Sequence, residues 1–212
     1  MDGCKSVSRI AQVIRDSGAQ IACLQEVTQG SIVGLGDQPK ELAELLGMSY
    51  VFQCNAKIGL GKFGNAILTS YDIAYSHSHR LTSIGEQRGL LEVGIQTPNG
   101  PIAAFCTHLG LNSNERIVQA REIANIVNDI PGHRLLCGDF NEESHSAAVS
   151  SLIEMTGFKD AHPGGSPTFD SVNPNHRIDM IFCDSSIEVI STSIIQTQAS
   201  DHLPLIADIE IA

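Results

Sequence analysis

The sequence predicts a single α+β domain in which mixed β-sheets are covered by helices. The chain has 212 residues, of which 42% are hydrophobic, so it can bury one large core. Some apolar strand segments are joined by short turns, which favours hairpins, whereas others are separated by helical segments. No repeat, low-complexity tract or linker interrupts the chain, so we take residues 1–212 as one domain.

Four segments have the apolar spacing that is typical of helices. The first covers residues 6–16 and is followed by Gly18, which favours a helix end. The helix at 113–128 is closed by Pro131 and Gly132. The two remaining helical segments are residues 38–47 and about 145–156.

Strands are predicted where short apolar runs lie between turn residues. Residues 88–97 and 101–109 form a hairpin, because Asn99 and Gly100 between them tolerate positive φ. Residues 57–65, KIGLGKFGN, are predicted to be a glycine-rich loop. The remaining predicted strands are residues 21–27, 50–54, 66–70, 134–140, 177–183, 187–195 and 203–211.

The charge balance argues against general binding to nucleic acid. There are 24 acidic residues against 13 Lys plus Arg, which gives a formal net charge of −11. A surface of this sign repels phosphate backbones, so a polyanion would need a local basic patch or bound cations. The acidic excess is equally consistent with a role in solubility or in concentrating cations.

The cysteines and the hydropathy pattern indicate a cytoplasmic protein. Six cysteines stand far apart, several within apolar runs and none in a C-x-x-C pair, so we expect reduced core thiols. No segment approaches 18 uninterrupted apolar residues, and the first residues contain no apolar signal-peptide core. We therefore expect no membrane attachment.

Seven polar residues end or interrupt apolar strand runs, which is costly for a merely solvated group. Singly, each has an ordinary explanation, since Asp and Asn form turns and a lone His is commonly a core residue. Together, their carboxylates suit a hard cation, Mg²⁺ or alternatively Mn²⁺, better than zinc. Cation, activated water and hydrogen-bond donors are what phosphoester hydrolysis requires. The seven residues are Glu26, His108, Asp139, Asn141, Asp179, Asp201 and His202.

Six ordered sequence blocks resemble the endonuclease/exonuclease/phosphatase superfamily. They are LQE at 24–26, GNAILTS at 64–70, THLG at 107–110, GDFN at 138–141, RIDMIF at 177–182 and SDHLPL at 200–205. The resemblance implies a four-layer α/β/β/α sandwich of two mixed sheets flanked by helices, with the active site at one end of the sheets. It also implies metal-dependent hydrolysis of phosphoester bonds.

The resemblance implies a role for each matching residue. Glu26 is expected to bind the metal, and His108 and His202 to contact the scissile phosphate. Asp139 is expected to orient or deprotonate the attacking water, and Asn141 to hold phosphate or water.

Two further carboxylates are expected to orient the histidines. Asp201 would pair with His202 and join the metal ligands, whereas Asp179 would orient His108. Asn65 and Arg88 are candidate substrate-binding residues, with a turn role and an ordinary surface role as their respective alternatives.

One departure concerns the start of the sequence. The family's chain opens with a strand whose Asn helps to hold the metal, whereas this sequence begins with MDG directly before the first helix. We therefore expect one sheet to lack a strand and to present an open edge.

Three functions remain open at this point. The favoured one is a phosphodiesterase or phosphatase that acts on a small or lipid-derived phosphoester. A metal-dependent nuclease would need a local basic groove, for which the candidates are Lys57, Lys62, Arg80 and Arg88. An inactive family member that serves as a binding module is the third. The sequence does not predict the oligomeric state.

Overall fold

A six-stranded mixed sheet lies at the centre of the computed structural model, which describes residues 6–30 and 36–211. The helices are α1 (Val7–Ser17), α2 (Gln38–Leu46), α3 (Ser113–Asn128) and α4 (Ala147–Thr156). The strands are β1 (Ile21–Gln29), β2 (Ser49–Ile58), β3 (Gly61–Thr69), β4 (Asp72–Arg80), β5 (Gly89–Thr97), β6 (Gly100–His108), β7 (His133–Asp139), β8 (Lys159–Asp160), β9 (Asp179–Cys183), β10 (Ile187–Ile194) and β11 (Leu205–Ile211).

The central sheet has the strand order β4-β5-β6-β7-β9-β8. Its β6–β7 pair is parallel because α3 connects the two strands, whereas its other pairs are antiparallel. Opposite it lie the antiparallel sheet β1-β3-β2 and the ribbon β10-β11. Within the described residues, all strand pairs of this second layer are antiparallel.

Three groups of buried side chains hold these layers together. One lies between the sheets and includes Ile67, Leu91 and Ala104. A second packs α3 and α4 against the outer face of the central sheet, and a third packs α1 and α2 against β1–β3. The α+β sandwich with helices on both outer sides is thus confirmed.

The helices begin and end where their capping residues lie. The side chain of Ser6 accepts a hydrogen bond from the Arg9 backbone N–H at the start of α1, and Gly18 ends that helix with φ 69°. The Asn112 side chain accepts from the N–H groups of Asn114 and Glu115 at the start of α3. These caps explain why the helix bounds predicted from sequence agree closely with the structure.

Two parts of the sequence prediction are wrong. Residues 57–65 are not a loop, because β2 and β3 continue as a hairpin whose turn is formed by Gly59 and Leu60. Strand β4 is absent from the prediction, because most of its residues are polar and exposed and form no apolar run. Strand β4 is the last strand of the sheet and pairs with β5 on one side alone, and polar residues are common on such edge strands.

A cleft of about 500 Å³ lies between β1 and β11. Within the described residues, β1 pairs only with β3 and β11 only with β10, so each presents one open edge. The cleft is lined by apolar side chains such as Ile21, Ala207 and Ile209, and one end reaches Asp179 and His202. The expected open edge is therefore present in the described part of the chain.

The cysteines are only partly as predicted. Cys106 and Cys183 are buried and Cys23 and Cys137 are half-buried, all as free thiols, but Cys54 is exposed. Cys4 lies outside the described residues. Among the helices that the structure describes, none has the length and hydropathy to cross a membrane.

Candidate active site

Three neighbouring strands of the central sheet bring His108, Asp139 and Asp179 into one row. His108 is opposite Asp139 in the parallel β6–β7 pair, and Asp139 is opposite Asp179 in the antiparallel β7–β9 pair. His108 and Asp139 end their strands and Asp179 begins its strand. Because β9 runs antiparallel to β7, all three residues lie at the same end of the strands.

The opposite sheet contributes Glu26 through a β-bulge in β1. The β1–β3 register shifts between Leu24 and Val27, and Glu26 has φ 58°. Glu26 and Asn141 are the non-glycine residues with positive φ among those described, a conformation that costs on the order of 1 kcal/mol each. Strained backbone conformations of this kind cluster at functional sites, where they hold a side chain in one orientation. Here the strained backbone leaves the Glu26 Oε1 atom 3.9 Å from His108 Nδ1.

His202 reaches the row from the segment before β11. The Leu203 N–H donates to the Thr168 carbonyl, and the Ser171 N–H donates to the Asp201 carbonyl, which fixes this segment beside residues 168–171. His202 Nδ1 donates to Asp179 Oδ2 at 2.8 Å. Its Nε2 atom lies 3.8 Å from Asp139 Oδ2.

The Asp179 hydrogen bond keeps His202 protonated. Burial acts to lower the pKa of His202, but the hydrogen bond and charge of Asp179, together with the charges of Asp139 and Asp201, raise it to about 9. At neutral pH both ring nitrogens therefore carry hydrogens, and Nε2 is a charged donor.

His108 is held in the opposite state. Burial first, and then the charges of Arg88 and His202, lower its pKa to about 3, so the ring is neutral. Arg88 Nη1 donates to His108 Nδ1 at 3.0 Å, and an accepting Nδ1 leaves the hydrogen of the neutral ring on Nε2. That Nε2 atom lies 3.5 Å from Asp139 Oδ2.

Asp139 lies between the two imidazole donors. Burial and the charge of Asp179 raise its pKa to about 6, although His202 and the Asn141 N–H act in the other direction. Its Oδ2 atom lies 3.5 Å and 3.8 Å from the two Nε2 atoms, so an oxygen that sits to one side of the three groups could contact all of them at hydrogen-bond distance. The arrangement offers two donors to a negatively charged oxygen and one carboxylate to accept a proton.

Comparison with known proteins agrees with this geometry. The family described as "Endonuclease/Exonuclease/phosphatase family" matches residues 2–202. The chain belongs to this family.

Related proteins share both sequence and fold. The uncharacterized protein YbhP of Escherichia coli K12 is 29% identical over 222 residues, covering 95% of this chain and 87% of YbhP. An endonuclease/exonuclease/phosphatase from Beutenbergia cavernae has a TM-score of 0.85 at 22% identity, covering 99% of this chain and 67% of that one. A mannosyl-6-phosphatase of Bacteroides thetaiotaomicron has a TM-score of 0.82 at 16% identity, covering 97% and 90%. At these identities the two solved structures establish the fold alone.

The pairing of carboxylates with histidines differs from the one expected for the endonuclease/exonuclease/phosphatase family. Asp179 is bonded to His202 and not to His108, whose Nδ1 accepts from Arg88 instead. Asp201 is exposed and accepts a hydrogen bond from Ser200, so it affects His202 through its charge without orienting it. Both corrections arise because β9 places Asp179 next to Asp139, on the His202 side of the row.

The two predicted substrate-binding residues occupy different environments. Asn65 is 1% exposed, and its Nδ2 donates to the carbonyls of Gly89 and Cys106. It therefore ties β3 to β5 and β6, whereas its Oδ1 has no hydrogen-bond partner among the described residues. Its contact with substrate stays a prediction. Arg88 does lie at the site, where Nη1 also donates to Glu86. Its contact with a phosphate stays a prediction.

Asn141 supports the site from the β7 end. Its backbone N–H donates to Asp139 Oδ1 at 2.8 Å, and its Nδ2 donates to the Leu109 carbonyl at 2.9 Å. One amide hydrogen is therefore committed to the backbone, and the residue fixes the orientation of the Asp139 carboxylate.

Phe169 is a site residue that the sequence analysis missed. Its ring lies on the His202 imidazole, with 4.8 Å between the ring centres and an interplanar angle of 43°. Isolated β-bridges pair Phe169 with His176 and His202. A phenylalanine within TFDS has no distinguishing sequence signal, so only the folded chain reveals this contact.

The donor set fits a hard divalent cation. Burial and then the charges of Asp201 and Glu86 raise the pKa of Glu26, so a cation bound nearby would favour its ionised form. Asp139, Asp179 and His202 also offer ligand atoms within 4.8 Å of one another. The hydrogen bond between His202 Nδ1 and Asp179 Oδ2, however, already uses one atom of each of these two side chains. The carboxylates of Glu26 and Asp201 are therefore the better candidates for ligands.

Proposed function

We propose that this chain is a divalent-metal-dependent hydrolase of phosphoester bonds. The observation that supports this most is the convergence of neutral His108 and protonated His202 on Asp139 Oδ2. Two donors of different charge and one carboxylate are the groups needed to stabilise a phosphoryl oxygen and to accept a proton from water.

Glu26 and Asp201 would hold the cation, Mg²⁺ or alternatively Mn²⁺. Oxygen ligands are those that both cations prefer. When bound, the cation would supply positive charge to the phosphate oxygens and lower the pKa of a water molecule.

The protein groups divide the remaining work. His202 Nε2 and His108 Nε2 would donate to oxygens of the phosphate, one as an imidazolium and one as a neutral ring. Asp139, which is mostly ionised above its pKa of about 6, would take the proton of the attacking water. Asp179 and Arg88 would keep the imidazoles oriented, and Asn141 would do the same for Asp139.

The favoured substrate is a small or lipid-derived phosphoester. The net charge of −11 disfavours a long polyanion. Of the four basic residues considered for a nuclease groove, Arg88 is buried against His108, which removes it from the protein surface. Lys57 and Lys62 face each other on the β2–β3 hairpin.

The test is release of p-nitrophenol from bis(p-nitrophenyl) phosphate and from p-nitrophenyl phosphate, each with Mg²⁺, Mn²⁺ or EDTA. We expect metal-dependent turnover that falls roughly 10²–10⁴-fold in Asp139→Asn, since a proton acceptor contributes about this much. His202→Ala should lose turnover as well. Asp72→Asn, an exposed carboxylate on β4, is the matched control and should retain it.

The outcomes separate the open functions. Preference for one of the two esters would distinguish a phosphatase from a phosphodiesterase, and faster hydrolysis of a single-stranded oligonucleotide than of either would favour the nuclease. No turnover with any metal, in protein shown to be folded by circular dichroism, would refute the proposal and favour a binding module.

A further inference from the structure

The most exposed large apolar side chains of the described residues lie at one end of the molecule. They are Leu60, Ile84, Leu111 and Val172, which are 93%, 77%, 77% and 59% exposed. Single exposed apolar residues are common on protein surfaces, so their exposure alone means little. Their shared location is the informative observation, because all four lie in loops at the end of the strands that carries the active site. We call these four side chains the apolar rim.

Leu60 stands at the tip of the β2–β3 hairpin. Ile58 pairs with Gly61, so the turn has two residues, and Gly59 takes φ 59° at its first position. Because β3 is antiparallel to β1, this tip lies beyond the end of β1 that carries Glu26. The paired strands therefore hold the Leu60 side chain out toward solvent at the active-site end.

Ile84 and Leu111 lie on two loops that are bonded to each other. Ile84 precedes β5, and Leu111 follows the end of β6 at His108. Glu115 joins the two loops, because its Oε1 accepts from the Ile84 N–H at 3.1 Å and its carboxylate lies against Gly110. Both apolar side chains are thus presented by fixed backbone beside the active site.

Val172 is held next to the other histidine of the site. Its N–H donates to Asp170 Oδ1 at 2.9 Å, and the neighbouring Ser171 N–H donates to the Asp201 carbonyl directly before His202. The same end of the molecule therefore carries the polar site and all four side chains of the apolar rim.

Two lysines accompany the apolar tip of the hairpin. Lys57 and Lys62 are exposed and pair directly across β2 and β3. Like charges in this arrangement repel each other, and neither lysine has an ion pair with an acidic group of the described residues. Lys62 Nζ lies instead 3.4 Å from Gln29 Oε1. An anionic phosphate would stabilise the two lysines and would lie beside Leu60.

We propose that the apolar rim docks on a surface of zwitterionic phospholipid, with Lys57 and Lys62 against the lipid phosphates. Apolar side chains in such contacts enter the boundary between headgroups and acyl chains to a depth of about 5–10 Å. An anionic lipid surface is disfavoured, because the net charge of the chain is −11. A protein partner would need one contiguous apolar patch, whereas the apolar rim consists of single side chains on separate loops around a polar site.

Docking in this orientation would bring the active site to the lipid headgroups. The substrate would then be a phosphoester held in the lipid surface, and this part rests on the proposed hydrolase function, whereas docking itself does not. The hydropathy pattern predicted no membrane attachment, because four single side chains on loops form no long apolar run.

The first test uses the absence of tryptophan from the chain. Leu60→Trp places a single tryptophan at the hairpin tip and keeps the side chain apolar. Ile190→Trp is the matched control on β10, where the side chain is 54% exposed. With phosphatidylcholine vesicles, we expect the emission of Leu60→Trp to move to shorter wavelength and to be quenched by brominated acyl chains. Ile190→Trp should show neither effect.

The second test measures co-sedimentation of the full chain with the same vesicles. Leu60→Ser and Leu111→Ser should each weaken binding at least about tenfold, since burial of one leucine side chain contributes this much or more. Replacing Lys57 and Lys62 together by Gln should also weaken binding. Ile190→Ser is the control and should bind as wild type does.

The outcomes decide the proposal without an activity measurement. No binding of wild type to phosphatidylcholine vesicles, or undiminished binding by Leu60→Ser or Leu111→Ser, would overturn it. Self-association of vesicle-free protein that Leu60→Ser abolishes, with no vesicle binding, would assign the apolar rim to a contact between two copies of the chain. Because no turnover is measured, failure of docking and failure of the hydrolase proposal are distinguishable.

Discussion

Replacing Asp179 by Asn should lower the pKa of His202, so that its ring is no longer protonated at neutral pH. In the wild-type protein Asp179 Oδ2 accepts from His202 Nδ1 at 2.8 Å and places a negative charge beside the ring. Asparagine keeps the shape of the side chain but removes that charge. We therefore expect the pKa of His202 to fall while the fold is retained.

The size of this fall in pKa follows from the groups that set the pKa of His202. Burial lowers the pKa of His202, and Asp179 provides the largest contribution in the opposite direction, so that the value reaches about 9. The interval from the ordinary value of about 6.5 to this one corresponds to about 3 kcal/mol of preference for the charged ring. Without Asp179 the remaining charges of Asp139 and Asp201 act against burial alone. The pKa should then lie near or below 6.5, and the ring should be mostly neutral at pH 7.5.

The assay is a titration of the histidine ring signals by heteronuclear NMR in metal-free protein, with the His202 signal assigned from the spectrum of His202→Ala. Asp201→Asn is the matched control, because Asp201 acts on His202 only through its charge. We expect a smaller fall in pKa for Asp201→Asn than for Asp179→Asn. In the hydrolysis assay, the alkaline limb of the pH profile should move to lower pH in Asp179→Asn, since a neutral His202 lacks one donor.

Two results would refute this reasoning. A His202 pKa that stays near 9 in Asp179→Asn would mean that the hydrogen bond does not set the protonation state. A larger fall in Asp201→Asn would restore the pairing that the family resemblance implied and contradict the geometry.

Three further predictions concern other contacts. Arg88→Met should raise the pKa of His108 from about 3 toward 6.5, because a neighbouring positive charge is lost; an unmoved His108 signal in the same titration would contradict this. Asp184→Asn should destabilise the protein by about 1–3 kcal/mol at pH 7, because hydrogen bonds from Arg134 to a charged acceptor are lost. Although burial acts to raise the pKa of Asp184, its hydrogen bonds lower it, so this stabilisation is complete above the ordinary value of 3.8 and is lost as pH falls through the folded-state value. Urea unfolding of wild type and variant should therefore converge at low pH, and a difference that persists there would contradict the assignment. Phe182→Ala should cost about 3–5 kcal/mol in the same experiment, since the ring is fully buried; a loss below about 1 kcal/mol would be inconsistent with its packing.

The sequence revealed the position of the site better than its internal pairing. His108 and Asp139 end apolar runs, and the end of a strand is readable from local composition. The Asp179–His202 hydrogen bond joins residues 23 positions apart and depends on which strand lies next to β7. Strand order is a property of the whole sheet, so a local pattern could not distinguish this partner from His108.

Strand β4 and the β2–β3 hairpin show a second limit. Sequence reasoning finds strands by their apolar faces, and β4 has almost none because it is an exposed edge. Glycines at 59, 61 and 64 suggested a loop, whereas Gly64 is required because the Gln53 backbone lies where a side chain would be. At Gly64 the absence of a side chain therefore serves close contact between neighbouring strands and not conformational freedom.

Because His108, Asp139 and Asp179 are in register, their backbones are separated by the spacing of adjacent strands, about 4.8 Å. This spacing is set by the hydrogen bonds of the sheet and not by the conformation of a loop. A slip of β7 by one residue would turn Asp139 to the other face and remove the middle member of the row. We therefore expect no partly active form of the protein with a shifted β7. Loss of strand register and loss of the site should occur together.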